Sequence, residues 1–488
     1  MKILAIAATV LALAPRFAGG QDAPFTPSVA VVPSVGVAST VESLRSMPGA
    51  RGRALQVLGY AAEGDRGQGL FLWSPSYAGQ DDGGVHVVPA PRAGSGAWVR
   101  QFAGAVRPEW FGARCDGVAD DTGALQRAVA HVSAAKGADF HIELGACTLR
   151  LTAPISIGAS LRIVGQGVAP YEAVLGKPGG GSWLLLDHPG VGVQVNAAGP
   201  LSGVMFEKFG TRRNQPAPAP GWAPRPFDFD FVVSNADVAF IDVMLLNPTK
   251  GIRHDRGGYG RLSLERLRGQ PLQVGVEVSM SADTFRASNV HFWPFWQDDP
   301  LVHAYTLQSL DAFWLYRTDN PMFSNVFTIF ARSGIRFSQN ASGAVSKLHL
   351  ANADFDRGTF GLWVDPSVKR GITAQLDNVS IQGESGRKDT KGIFVQGSNS
   401  RVSFGNLRID VSAQNAIRLE GNANELNIAN LEVVGYDQNA AGFPAVEALR
   451  GNTVAIAGAP RVVEGGKGPK FGGTGTVSVL LERPSATR

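Results

Sequence analysis

Two aspartates, Asp354 and Asp356, stand two residues apart in Ala353-Asp-Phe-Asp-Arg357. On a strand that spacing puts both carboxyls on one face, about 6.6 Å apart. Inverting hydrolysis of a glycosidic bond uses carboxyls at about that separation, one as acid and one as base, whereas retention needs about 5–5.5 Å. The same pair also reads as the solvated end of a strand before Gly358. A second acidic group is Asp298-Asp299 with His303 and Glu277, and Asp-Asp-Pro300 also suits a turn. The candidate catalytic set is therefore Asp354, Asp356, Glu277, Asp299 and His303.

Sugars are held by aromatic faces, carboxylates and arginines. Arg253, His291, Trp293, Trp296, Tyr305, Arg336 and Trp363 are the candidate substrate-binding residues. β-Elimination would instead need a cation beside a substrate carboxylate and a base at the α-proton, for which Arg253, Arg336, His303 and Tyr305 are available. Arg253 and Glu277 also read as a surface ion pair, which contributes little. No Gly-rich phosphate loop, Cys/His metal set or Gly-x-Ser-x-Gly elbow has its required context. No metal is assigned, and no cofactor, calcium included, is called for by the residues.

These residues need a scaffold, and the scaffold is a repeat. Leu348-His-Leu-Ala-Asn352, Ala374-Gln-Leu-Asp-Asn378, Val402-Ser-Phe-Gly-Asn406 and Leu426-Asn-Ile-Ala-Asn430 share one pattern, with Asn-to-Asn intervals of 26, 28 and 24 residues. Each Asn is followed by a second short alternation. A small residue before apolar-x-apolar marks another strand at Gly251, Gly275, Gly334, Gly361, Gly392 and Ala416. Periods of this length mean stacked supersecondary units. Each unit reads as three short strands, and the Asn slot (Asp242, Arg266, Asn289 and Asn325 upstream) reads as a left-handed turn.

Outward positions then form columns. One runs Arg253, Glu277, a gap, Arg336, Trp363, Phe394, Arg418. Another runs Arg268, His291, Phe327, Asp354, Ser380, with Trp293 and Asp356 two residues further on. Two stretches break the period: the Pro-rich 210–226, and 291–321, which widens one slot interval to 36 residues. Long loops in a compact repeat are functional or disordered, and 291–321 is too aromatic for disorder.

The 488 residues include 60 Gly and 29 Pro and carry a formal charge of +4. That composition points to an all-β chain with many turns. With no Lys/Arg block, nucleic acid is disfavoured, while an acidic polymer is compatible. Met1-Lys2, an apolar Ile3–Ala14 and small residues near 18–20 read as a secretory signal peptide over 1–20. Residues 21–38 read as a linker and 39–107 as a small β unit. In an exported chain Cys115 and Cys147 are able to pair, and buried free thiols are the other reading.

Residues 110–122 (Trp-Phe-Gly-Ala-Arg-Cys-Asp-Gly-Val-Ala-Asp-Asp-Thr), the amphipathic helix at about 121–136, and the strands Ile142-Glu-Leu, Leu149-Arg-Leu and Ile155-Ser-Ile follow in order. Together they resemble the opening of the pectate-lyase-like superfamily of right-handed parallel β-helices. That opening is shared with phage tailspikes and secreted polysaccharide lyases and hydrolases. Gly64-Asp-Arg-Gly-Gln-Gly69 and Gly96-Ala-Trp98 resemble the domain before the helix in tailspike-type chains. Asp120, Asp121 and Thr122 read as helix caps rather than metal ligands. Cys115 and Cys147 stand where the family has glycine, which favours a bridge between them.

The expectation is an all-β fold: a single-stranded parallel β-helix of about ten coils over 108–470, a capping helix, and a tail over 471–488. The resemblance implies an exported enzyme that cleaves an extracellular polysaccharide, with hydrolase ahead of lyase because carboxylates outnumber cations in the insertion. The alternative is a non-catalytic glycan-binding or cell-surface protein. The resemblance also brings a trimer into view. Nothing suggests a membrane span.

Overall fold

The computed structural model describes residues 35–91, 94–135, 141–169, 180–255 and 261–480. The signal-peptide reading and most of the linker lie outside them. From Asp116 to Val479 the strands pair in parallel, each with its counterpart one coil away, in one continuous sheet wound into a parallel β-helix. The pattern that forces this is alternation: Leu348–Gly358 buries Leu348, Leu350, Ala353 and Phe355 and turns His349, Ala351, Asp354 and Asp356 outward. Stacked coils merge these inward residues into one apolar core from Val85 to Val462. Each fully buried large side chain in such a core is worth about 1.5–3 kcal/mol.

Three ladders run the length of the stack. The first passes through Lys250–His254, Val274–Ser281, Asp311–Thr318, Ser333–Phe337, Phe360–Val364 and Lys391–Val395. The second and third are the two halves of strands such as Leu348–Gly358 and Thr373–Gly383. The tail expected after 470 is instead another rung: Phe471–Gly472 pairs with Val446–Ala448, and Thr476–Val479 with Thr453–Ile456. Its Thr-Val-Ser-Val alternation continues the pattern.

The slot between second and third strands is left-handed at Asp242, Arg266, Asn289, Asn325, Asn352 and Asn378, with φ of 52–59°. Their amides form a ladder, each Nδ2 donating to the Oδ1 one coil below: Asn325 to Asn289 (3.1 Å), Asn352 to Asn325 (3.2 Å), Asn378 to Asn352 (3.1 Å), Asn406 to Asn378 (2.9 Å) and Asn430 to Asn406 (3.0 Å). The last two depart from expectation. Asn406 and Asn430 sit within unbroken strands and pair directly, so there the amide ladder continues without the turn.

A separate five-stranded sheet over Gly36–Gln101 precedes the helix, with its own core of Leu55, Val57, Phe71, Val87 and Trp98. A short helix α1 (Val41–Arg45) lies on it, and α2 (Thr122–Ala134) caps the stack through Ala124, Leu125, Ala128, Val129 and Val132. Asp121 does not cap α2 with its side chain; its carboxylate accepts instead from the Arg114 and Cys115 N–H groups. That fixes the turn in which Cys115 bonds to Cys147, Cα atoms 5.5 Å apart.

The two kinds of slot predict opposite rankings. Asn352→Gly should cost about 1 kcal/mol less than Asn352→Ala, because glycine removes the left-handed strain. At Asn430 glycine should be the worse replacement, by about 0.5–1 kcal/mol. Urea denaturation of the four variants reads the ranking.

Candidate functional site

The 291–321 insertion resolves into strand end, loop, helix and strand. Pro300–Ser309 forms α3, with Asp299 as N-cap accepting from the Leu301 N–H (2.8 Å). Asp311–Thr318 is already the next rung of the first ladder. Ala312-Phe-Trp-Leu315 repeats the small-apolar-x-apolar marker, a signal hidden because the stretch reads as one long insertion. Trp314 therefore fills the gap in the first column, between Glu277 and Arg336.

The insertion's aromatics do not form an open sugar platform. Trp296 is buried and packs with Phe295, Val302, Trp183, Met244 and Leu272 in a small second core, against which Trp293 and Trp222 also lie. Trp222 of the Pro-rich insertion meets Trp296 (6.2 Å) and Tyr305 (5.6 Å), and the Tyr305 hydroxyl accepts from Gln273 Nε2. Tyr305 and the two tryptophans join the insertions to each other. The Pro-rich segment is held at its root by Arg213, fully buried on Asp230 (2.8 Å).

The expected group of Glu277 with Asp298, Asp299 and His303 is split. Glu277 is buried on the first ladder and committed to Arg253 (3.0 Å). α3 instead carries His303 to the corner after the third strand. There Phe330 (φ 55°) and Arg357 (φ 44°) stand one coil apart in left-handed backbone. A bulky residue in that region is a real outlier. His303 stacks on Phe330 at 3.8 Å and 15°, and the Arg357 guanidinium lies 4.6 Å from the same ring. Arg357 also pairs with Glu384 (2.9 Å), and His303 faces Asp298 (3.2 Å). Burial pushes the His303 pKa down; Asp298 and Arg357 act on it in opposite senses. Phe330, Arg357 and Glu384 were not singled out by the sequence, since what unites them is a corner, not a motif.

Asp354 and Asp356 stand beside this corner. Both are half-buried on one face of the strand. Among the described residues neither makes an ion pair. Burial, then the Asp356 and Asp410 charges, push the Asp354 carboxyl above the usual range. Burial also raises Asp356, but the backbone and charge of Arg357 pull it back. The third-ladder column reads Arg268, His291, Phe327, Asp354, Ser380, Arg408, Glu432, Arg461. His291 meets Phe327 edge-on at 5.0 Å. Starting at Ser380 a groove of about 430 Å³ runs over Arg408, Glu432 and Arg461, floored by Asn378, Asn406 and Asn430. Three coil spacings make it about 14 Å long.

The first ladder carries a second surface. Arg336 lies between Trp314 (4.3 Å) and Trp363 (4.5 Å) and bonds two buried carboxylates, Asp311 (3.1 Å) and Asp365 (2.8 Å). Tyr316 stacks beside Trp314 at 5.3 Å, its hydroxyl pushed up to about 12 by burial and Glu277. Burial opposes ionisation of Asp365, but bonds from Ser338, Ser367 and Arg336 outweigh it and hold its pKa low. A depressed folded pKa contributes stability that is present above the unfolded value, near 4, and lost as pH falls through the folded one.

Residues 37–103 match the family model described as the phage tail protein small four-stranded beta-sheet domain. No curated protein matches the sequence. Among solved structures, the tailspike of Acinetobacter phage vb_AbaP_AS12 is similar over 91% of this chain and 74% of its own, at 11% identity and a TM-score of 0.54. Tailspike protein 2 of the Escherichia coli O157:H7 bacteriophage CAB120 is similar over 87% of this chain, at 14% identity and a TM-score of 0.52. This chain spans 52% of that tailspike's length. The shared feature is the tailspike-type parallel β-helix.

Arg336→Met should destabilise the chain by about 3–5 kcal/mol, since it leaves buried Asp365 without a cation, while Asp311 keeps Arg332. The loss should shrink as pH falls and Asp365 takes up a proton. Guanidinium unfolding at pH 7 and pH 4 measures both effects.

Proposed function

We propose that this chain hydrolyses the glycosidic bonds of an extracellular polysaccharide at the third-ladder groove. One observation carries the reading: Asp354 and Asp356, half-buried, without an ion pair among the described residues, both raised in pKa, one coil before a groove lined by Arg408, Arg461 and Asn amides. Their spacing of about 6.6 Å suits inversion, with room for a water between carboxylate and sugar.

The environments favour a division of roles. Asp354 has no cation beside it and two carboxylates near it, so it keeps its proton and donates it to the leaving oxygen. Asp356, next to Arg357, ionises first and takes the proton of the attacking water. The bond from the anomeric carbon to the leaving oxygen breaks as the bond to water oxygen forms on the opposite face. The stack of His303, Phe330 and Arg357 supplies an apolar wall and a cation at the same corner. Arg408 and Arg461 suit a polymer carrying carboxylates or other anionic substituents. The Cys115–Cys147 disulfide and the leader-like 1–20 support export.

A non-catalytic glycan-binding protein is the second reading. It is favoured by the half-buried Trp314–Tyr316 stack and Trp363 on the first ladder, aromatic faces of the kind sugars lie on.

Incubation with acidic and neutral polysaccharides should release reducing ends without ultraviolet-absorbing unsaturated products; unsaturated ends would make the protein a lyase. Asp354→Asn and Asp356→Asn should each lower kcat by about 10²–10⁴-fold while polymer binding persists. The alkaline limb of the kcat/KM profile should lie above the ordinary aspartate range, because a raised pKa keeps Asp354 protonated to higher pH. Unchanged rates in both variants would remove the pair as catalysts, and binding without cleavage across the panel would favour the second reading.

A further inference from the structure

Away from the groove, three donors converge where the small β unit meets the capping helix. Asp82 comes from the loop after the Gly69–Ser74 strand, His86 opens the strand His86–Val87, and His131 lies in the last turn of α2. His86 Nδ1 is 2.8 Å and His131 Nδ1 3.0 Å from the same oxygen, Asp82 Oδ2. All three atoms lie within 4.8 Å of one another.

The arrangement is fixed from behind. Asp82 Oδ1 accepts from the N–H groups of Gly84 (2.9 Å), Val85 (2.8 Å) and His86 (2.9 Å), which leaves Oδ2 aimed at the two imidazoles. Tyr77 stacks on His86 at 4.5 Å and 9°, and Phe111 lies 6.0 Å from His131. Backing of this kind orients metal ligands and sets ring tautomers. The open side faces a cavity of about 580 Å³ lined by Tyr77, Gln80, Arg127, Ala130 and Ala134.

We propose that Asp82, His86 and His131 bind a divalent transition ion of the zinc type and clasp the small β unit to the capping helix. Two imidazoles and one carboxylate make a donor set suited to zinc, with a fourth position left for water from the cavity. Bonds of about 2.0–2.1 Å put tetrahedral donors about 3.3 Å apart. Moving from 2.8 and 3.0 Å to that value takes a few tenths of an ångström. Each imidazole binds as the neutral ring: the proton shared between Nδ1 and Oδ2 passes through solvent to Nε2 of the same ring, the ion takes its place at Nδ1, and no proton is gained or lost overall. Among the described residues the other convergent triplet is Glu109 with the two disulfide sulfurs, which are oxidised and unsuited to the role.

The test uses the full chain, stripped with chelator and titrated with Zn²⁺ or Co²⁺ alone. The expected result is saturable uptake of one equivalent by calorimetry, visible Co²⁺ bands typical of nitrogen and oxygen donors in low coordination, and a rise in Tm. His86→Gln and His131→Gln, checked for native circular dichroism, should each weaken uptake by at least about tenfold. Absence of stoichiometric binding in the wild type overturns the proposal whether or not the variants fold. Binding that both variants retain at full strength overturns it as well. Neither result bears on Asp354 and Asp356, which lie on another part of the stack.

Discussion

Parallel pairing of each coil with the next is the constraint on which everything else rests. Main-chain hydrogen bonds hold successive strands about 4.8 Å apart, so a residue's nearest foreign neighbour is its own counterpart one coil away. Inside, this packs apolar residues into a continuous core. Outside, it makes every chemical choice a vertical one. The Asn amides bond because they repeat at the same slot. Arg336 is flanked by Trp314 and Trp363 for the same reason. Asp354 feels Asp410, two coils away in the adjoining column, through stacking and not through sequence proximity.

That rule explains what was legible. Period-2 alternation and a small set of markers were enough to set the columns, and the register bears them out from Arg268 to Ser380 and from Arg253 to Arg418. It was enough, too, to place Asp354 and Asp356 on one face. The fold and the capping helix could be read from the sequence because each is a local pattern or a short-range motif; the cysteine pairing, 32 residues apart, was favoured only by the family resemblance, with free thiols as the other reading. What failed was whatever depends on a corner or on the inside of an insertion. Nothing in His-Phe-Trp-Pro-Phe-Trp says that its tryptophans bury themselves against a second insertion. Nothing local says that α3 turns His303 toward Phe330 rather than toward Glu277. Asn406 and Asn430 look identical to Asn352 in sequence; their own backbone stays out of the left-handed region, so the same side chain does half of the same job.

Burial and pairing divide the charged residues into two kinds. Asp311, Asp365, Asp230 and Glu277 are buried and held by arginines, and these pairs are part of the architecture. Asp354 and Asp356 are half-buried and have no such partner. Asp121 and Asp437 are also buried without an ion pair among the described residues, but backbone N–H groups hold them; Asp354 and Asp356 differ in that burial raises both on an outward strand face. The low-dielectric corner beside them, built from Phe330 and the underside of α3, raises the cost of their charge and so the value of a proton there.

The shared core of the two insertions has a mechanical consequence. A stack whose coils touch only their neighbours is a quasi-one-dimensional rod, stiff along its hydrogen bonds but free to flex sideways as small errors accumulate over its length. Trp222 and Trp296 belong to segments separated by several coils, yet they meet. Their contact spans those rungs from outside like a splint and removes the bending mode on that side. The rungs from Gly210 to Phe292 therefore have their curvature fixed from outside, whereas the rungs under the groove, from Ser380 to Arg461, lie beyond the splint and rely on the stack alone.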